Sequence, residues 1–372
     1  MKIEKVIVLI TGGRTGSDFF QSLLDGHPEI MSFPGIFFFD SFWESLSPTE
    51  SPIVISTKLC REYPHFFDSR LNVQERHHML GANRNEFFLV DQAFFQEKFS
   101  DLMKDRKFSK MNILECLHAA YTLASKGELS QKKLILLHLH NIHRLKVVTD
   151  MDVDILYTLR DPLANLSAAV KNWLNYKESN LFNSGSLAFH IDRVVNGLSD
   201  VLEYEKRTFV VQLENLHTRH KDVMTEFCEI YGISFHECMA LSTYHGKLWW
   251  GDAVSGKFLS GVNPVFKNCV DLSAYFERDV ELLENALMPL LHAYGYPRRS
   301  TISWKTKWLF FMPMKYELRL WIRAASLFSW KEMAKIPLSW MRRILALRRA
   351  CAVRRTSWPY SIGSIDRSRS KS

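Results

Sequence analysis

The chain has 372 residues, 47% of them hydrophobic and 24% charged, with a net charge of +8. That apolar content over that length supports a full core and excludes a disordered chain, and no run reaches the ~18 apolar residues of a membrane span. The charge is unevenly spread: from Ser300 onward 16 Lys and Arg face three Asp and Glu, a net +13 that leaves −5 for residues 1–299. The sequence therefore divides into a mildly acidic domain, 1–299, and a basic extension, 300–372.

A strand is predicted over Val6–Ile10, so early that no leader segment is expected. It runs into a turn containing Gly12, Gly13 and Gly16, then into a helix whose apolar face is Phe19, Phe20, Leu23 and Leu24. Such a strand–turn–helix leaves backbone N–H groups without partners, and Arg14 places a planar cation among them, so the turn is read as an oxyanion site. Gly26 and Pro28 end the helix. Residues 31–130 are aromatic, with Phe87, Phe88, Phe94, Phe95, Phe99 and Met103 at helical spacing, and are read as helices that cover a sheet and line an acceptor pocket. The pair His77 and His78 reads as solvated surface.

Three further strands are predicted at Leu134–His140, Val153–Leu159 and Arg207–Leu213, alternating with helices such as Leu163–Leu174 and Lys221–Tyr231. Alternating strand and helix gives an α/β fold, a parallel sheet flanked by helices, with ligands at the carboxyl ends of its strands. At the end of the second of these strands Arg160 precedes Asp161, a helix cap, and Pro162, a first-turn residue. "WWGDAVSGKFLSGVNP" (Trp249–Pro264) reads as a flexible glycine-rich loop carrying Lys257. The six cysteines show no paired spacing, so neither a metal site nor a disulfide framework is expected and a cytoplasmic chain is.

Taken together, "LITGGRTGSDFF", "LLDGHPEI" and "ILYTLRDPLANLSAAVKNW" resemble the PAPS-dependent sulfotransferases, including their carbohydrate-type and bacterial members. "FVVQLENL" with "VMTEFCEIYGI" extends the resemblance over roughly residues 3–295. It implies a P-loop NTPase-like sulfotransferase fold and transfer of a sulfuryl group from PAPS to a hydroxyl or amine, on a glycan, a lipid-linked glycan or a small molecule, without a metal. By the same resemblance Gly13, Arg14, Thr15, Gly16, Ser17, Asp18 and Phe19 form the 5′-phosphosulfate loop. Arg160 and Ser167 bind the 3′-phosphate, Lys257 closes over it, and Arg14 meets the charge that develops on the bridging oxygen. His138 is the implied base, at the end of the strand preceding Arg160; His140 is next in order, and Glu44 or Asp40 is the carboxylate alternative. Two positions depart from the family pattern. Asp18 stands where Ser or Thr is usual, and Ala168 occupies the place of the motif serine, one residue beyond Ser167.

The extension sets Lys315, Arg319, Arg323 and Ser326 in one stripe among Trp321, Leu318, Leu320 and Phe328, and repeats the mixture in "PLSWMRRILALRRACAVRR". Basic amphipathic helices of this kind suit the anionic face of a membrane, here the cytoplasmic one; a helical cap on the body is the alternative, and nucleic acid is not expected. Two other functions compete. A P-loop kinase would need Gly-Lys-Ser/Thr where this turn has Gly-Arg-Thr-Gly-Ser-Asp, and a catalytically inactive membrane scaffold would follow if Asp18 spoils the anion site.

Overall fold

The computed structural model describes residues 3–175, 187–253, 258–266, 270–300, 310–326, 330–352 and 358–364. Strand β1 (Lys5–Thr11) leads into α1 (Ser17–Leu23), β2 (Ile30–Ser32) and the helices α2 (Phe39–Glu44), α3 (Pro52–Glu62), α4 (Gln92–Met103) and α5 (Lys110–Ala124). Then come β3 (Leu134–His140), β4 (Val153–Leu159), α6 (Pro162–Asn175), α7 (Leu187–Ile191), a π-helical turn (Asp192–Asn196) and α8 (Gly197–Leu202). Strand β5 (Thr208–Gln212), α9 (Leu213–Thr218), α10 (His220–Tyr231), the hairpin β6 (Thr243–Tyr244) and β7 (Lys247–Leu248), and α11 (Glu277–Ala293) follow. The chain ends in α12 (Lys315–Ser326), α13 (Trp330–Met333), α14 (Ile336–Ala352) and β8 (Ser361–Ile362).

Six strands pair in the order β2-β3-β1-β4-β5-β8, and every pairing is parallel. Period two divides their side chains between two cores. Val6, Val8, Ile10, Ile135, Leu137, Ile155 and Tyr157 pack on one face, under the aromatic helices. Ile7, Leu9, Leu134, Leu136, Leu156 and Val211 pack on the other, against Phe20, Leu23 and Phe227. With both faces covered, the strands are continuous apolar runs, which is why four were legible in the sequence. The chain crosses from one side of β1 to the other between β3 and β4, so the turn after β1 lies at the switch point on the carboxyl edge, where open parallel sheets bind ligands.

Within 31–130 the helical reading holds for Phe94, Phe95, Phe99 and Met103 in α4, of which the last three are buried, whereas Phe87 and Phe88 precede that helix in non-helical chain. His77 is a correction to the sequence reading: it is fully buried, its ring 4.1 Å from that of Tyr244, and burial pushes its pKa down to about 3.

Residues 310–326, 330–352 and 358–364 pack against the body. Tyr316, Leu320, Ala324, Leu347 and Ala350 belong to the same core as the sheet, and Ser361–Ile362 pairs with β5 as the edge strand. No helix among the described residues is long and apolar enough to cross a membrane.

Candidate functional site

The turn after β1 needs its glycines. Gly13 and Gly16 have φ of +84° and +83°, and Arg14 between them is also left-handed at +59°. A Cβ on Gly13 would lie 2.9 Å from the Arg193 guanidinium, and one on Gly16 would lie 2.5 Å from the Leu213 side chain. Thr11 pins the turn by accepting from the Gly13 N–H at 2.8 Å. The Thr15 hydroxyl is turned into the sheet, where it meets the hydroxyls of Thr11 and, at 2.7 Å, Thr158. Thr15 therefore braces the turn against the end of β4, two residues before Arg160, and its hydroxyl does not face outward.

Arg14 reaches across to Asp252, which follows the β6–β7 hairpin, with Nη1 3.0 Å from the carboxylate and Nε buried without a partner among the described residues. Asp18 and Glu75 lie close by. Burial, with Asp252 as a like-charged neighbour, pushes the Asp18 carboxyl up against the opposing pull of His140. Burial, Asp18 and Asp252 push Glu75 well above the carboxylate range. Both groups therefore hold their protons more tightly than a free carboxyl. Ser17 is buried and its hydroxyl lies 3.5 Å from Asp18.

His138 is placed against this turn. Its side chain is buried, with Nδ1 3.8 Å from the Asp18 carboxyl and 2.8 Å from Gln21 Oε1. The Gln21 amide nitrogen donates to the carbonyls of Phe33 and Gly35, at 2.6 and 3.3 Å, so its oxygen is the atom facing the imidazole. That fixes the tautomer: Nδ1 carries the proton, and Nε2 keeps a lone pair with no partner among the described residues. Burial pushes the imidazole pKa down to about 3, so the ring is neutral at pH 7. A bulge at the end of β3 pairs Leu9 with His138 but Ile10 with His140, which takes φ +66°. The two rings end 5.6 Å apart, and His140 also titrates near 3, for the same reason. Of the carboxylate alternatives, Asp40 is paired with Arg144, and Glu44 is exposed at the end of α2.

The β4 edge is tied to the same place. The Asp161 carboxylate caps α6 by accepting from the N–H groups of Leu163 and Ala164, both at 3.0 Å, and pairs with Arg299 at 2.6 Å. Arg160 therefore projects from a corner locked on two sides, and its charge reaches His217, helping to lower that imidazole. His217 stacks between Phe19 of α1 and Phe266, with centroids 4.6 and 4.4 Å away. Phe19 and Arg160 thus approach a common ring. Ser167 is buried and donates to the Asp271 carbonyl at 2.7 Å, so its hydroxyl is engaged inside the fold. Lys257 lies outside the described residues.

No family model matches the sequence, and no curated protein matches it. Among solved structures, a sulfotransferase domain from the curacin biosynthetic pathway is similar at 11% identity and a TM-score of 0.38, over 83% of this chain and 97% of that one.

The structure therefore brings together the glycine turn, Arg14, Asp18, His138 and His140, with Arg160 reached through Thr15–Thr158 and through Phe19–His217. Sequence reasoning missed Gln21, Glu75, Asp252 and Arg193. Gln21 left a trace, being the polar residue among Phe20, Leu23 and Leu24 on a short helix. The other three come from distant segments with no local pattern. No group of three or more His, Cys, Asp or Glu side chains among the described residues is arranged to hold a metal.

Proposed function

We propose that this chain is a PAPS-dependent sulfotransferase whose acceptor is a hydroxyl or amine. One observation carries the reading: a neutral His138, locked by Gln21 so that Nε2 is the bare nitrogen, lies against the first residues after an arginine-bearing glycine turn. A base beside an oxyanion cradle is the equipment for moving an anionic group onto a hydroxyl.

In this reading the phosphosulfate lies on the turn Gly13–Gly16, and Arg14 exchanges the Asp252 carboxylate for it. Arg160 takes the 3′-phosphate. The acceptor oxygen attacks sulfur, the bond from sulfur to the bridging oxygen breaks, and the acceptor proton passes to His138 Nε2. PAP leaves with the bridging oxygen on its 5′-phosphate, where Arg14 offsets the new charge. The acceptor class is a glycan, a lipid-linked glycan or a small hydroxylated molecule.

Thermal unfolding tests the donor. PAP at 100 times its Kd is expected to stabilise the protein by about 2.7 kcal/mol and raise Tm by some degrees, with ATP and magnesium doing much less. A shift with ATP and magnesium but none with PAP would favour the kinase instead.

A second contact is proposed for the basic extension. The outward face of α14 leaves Leu338, Met341 and Leu345 52%, 48% and 56% exposed, with Arg342 and Arg348 in solvent among them. Apolar side chains ringed by arginines fit the surface of an anionic membrane. Vesicles containing phosphatidylserine are expected to sediment the protein, less so at high salt. Replacing the three apolar residues by serine is expected to abolish this, and equal sedimentation of the variant would refute the contact.

A further inference from the structure

Arg193 stands on the π-helical turn, a geometry that recurs at functional sites, and nothing above assigns it a role. Its guanidinium lies flat against Gly13, within 2.9–3.3 Å of where a Cβ would be, and its backbone carbonyl lies 3.1 Å from the corresponding point on Gly12. The only hydrogen bond it makes among the described residues is to the Asn141 side-chain oxygen, at 3.2 Å, and the Phe189 ring lies 5.6 Å from it. No carboxylate among the described residues pairs with it. Asp192, its neighbour in sequence, accepts from Arg349 at 3.1 Å and from Asn196 at 2.7 Å instead. Burial depresses the guanidinium's pKa, and its charge in turn lowers those of His140 and His190.

A partly buried cation without a counter-ion is costly, and an anion bound beside it removes the cost. Arg14 already has Asp252; among the described residues Arg193 has an amide and a ring. Its position is also informative, since it touches the glycine turn and its charge acts on His140. It also lines a cavity of about 580 Å³ with Asn141, Lys146 and Tyr204 and with the carboxylates Asp192, Asp200 and Glu203. That volume suits a small organic acceptor.

We propose that Arg193 is a second anion-binding cation of the glycine turn, that it contacts the sulfuryl group rather than the adenosine phosphates, and that the cavity beside it admits the acceptor. The proposal rests on the sulfotransferase reading for its ligand. It predicts a division between PAPS, which carries the sulfuryl group, and PAP, which does not.

Calorimetric titration of wild type, Arg193→Ala and Arg193→Lys with both nucleotides tests it, with Tm checked for each variant. The alanine variant is expected to bind PAPS about 10- to 100-fold more weakly, the loss expected for one charge-assisted contact, and PAP within about threefold of wild type. Lysine keeps the charge without the fork and should fall between. Wild-type PAPS affinity in both variants would overturn the proposal while leaving the function standing. If wild type binds neither nucleotide, the function falls, and inorganic pyrophosphate becomes the probe. A pyrophosphate response lost in Arg193→Ala upholds the cation site, and an equal or absent response in both proteins overturns it.

Discussion

Replacing His138 by alanine is expected to lower sulfuryl transfer about 100- to 10,000-fold, the range for loss of a positioned general base, while PAP affinity stays near wild type. The separation follows from geometry. His138 is held by Gln21 and approaches the turn at the Asp18 carboxyl, while the phosphates are assigned to the Arg14 and Arg160 guanidinium groups. Gln21→Leu is the companion variant. It leaves the imidazole in place but removes the acceptor that holds the proton on Nδ1, so the basic nitrogen is no longer fixed as Nε2. Its expected cost is smaller and lies in kcat rather than in binding. Initial rates with labelled PAPS and calorimetry with PAP measure the two quantities. Full activity in His138→Ala would move the base to His140, whose ring is 5.6 Å away.

The second large effect concerns stability. Arg343 of α14 is fully buried and donates to both Glu317 carboxylate oxygens, each at 3.2 Å, and to the carbonyls of Phe310 and Met312 at 2.5 and 2.8 Å. Burial pushes Glu317 up, and the guanidinium opposes it. Arg343→Ala strands a buried carboxyl and two carbonyls together, so it is expected to cost about 3–5 kcal/mol. Denaturant unfolding measures the loss. Adding Glu317→Gln should recover part of it by removing the charge, though the two carbonyls stay unpaired. A cost below about 1 kcal/mol would mean that α12 and α14 are not held to each other through this pair.

That pair also explains what the sequence concealed. The charge step at residue 300 is real as composition, yet the segment after it carries buried residues and the edge strand β8. Strands of two or three residues, as in β8 and β2, have no period to read, and Arg343 looks like any other arginine in "MRRILALRR". The long strands β1, β3, β4 and β5 were legible because two buried faces leave them continuously apolar. The glycine turn was legible because left-handed backbone demands glycine. The polar partners were not: Asp252 and Arg193 reach the turn from more than 150 residues away in sequence, and only folding puts them there. Direction was equally hidden, since Thr15 lies in the turn and Ser167 in α6 with hydroxyls committed to Thr158 and to the Asp271 carbonyl.

The most direct test of the account is the affinity of the protein for PAP relative to 5′-AMP, measured by calorimetry on wild type and on Arg160→Ala. The two ligands differ only in the 3′-phosphate, the group that sets this nucleotide apart from those used by kinases. Wild type is expected to prefer PAP by about tenfold or more, the worth of a charge-assisted contact, and Arg160→Ala to lose most of that preference. Equal affinity for the two nucleotides in wild type, or tighter binding of ATP with magnesium than of PAP, would contradict it.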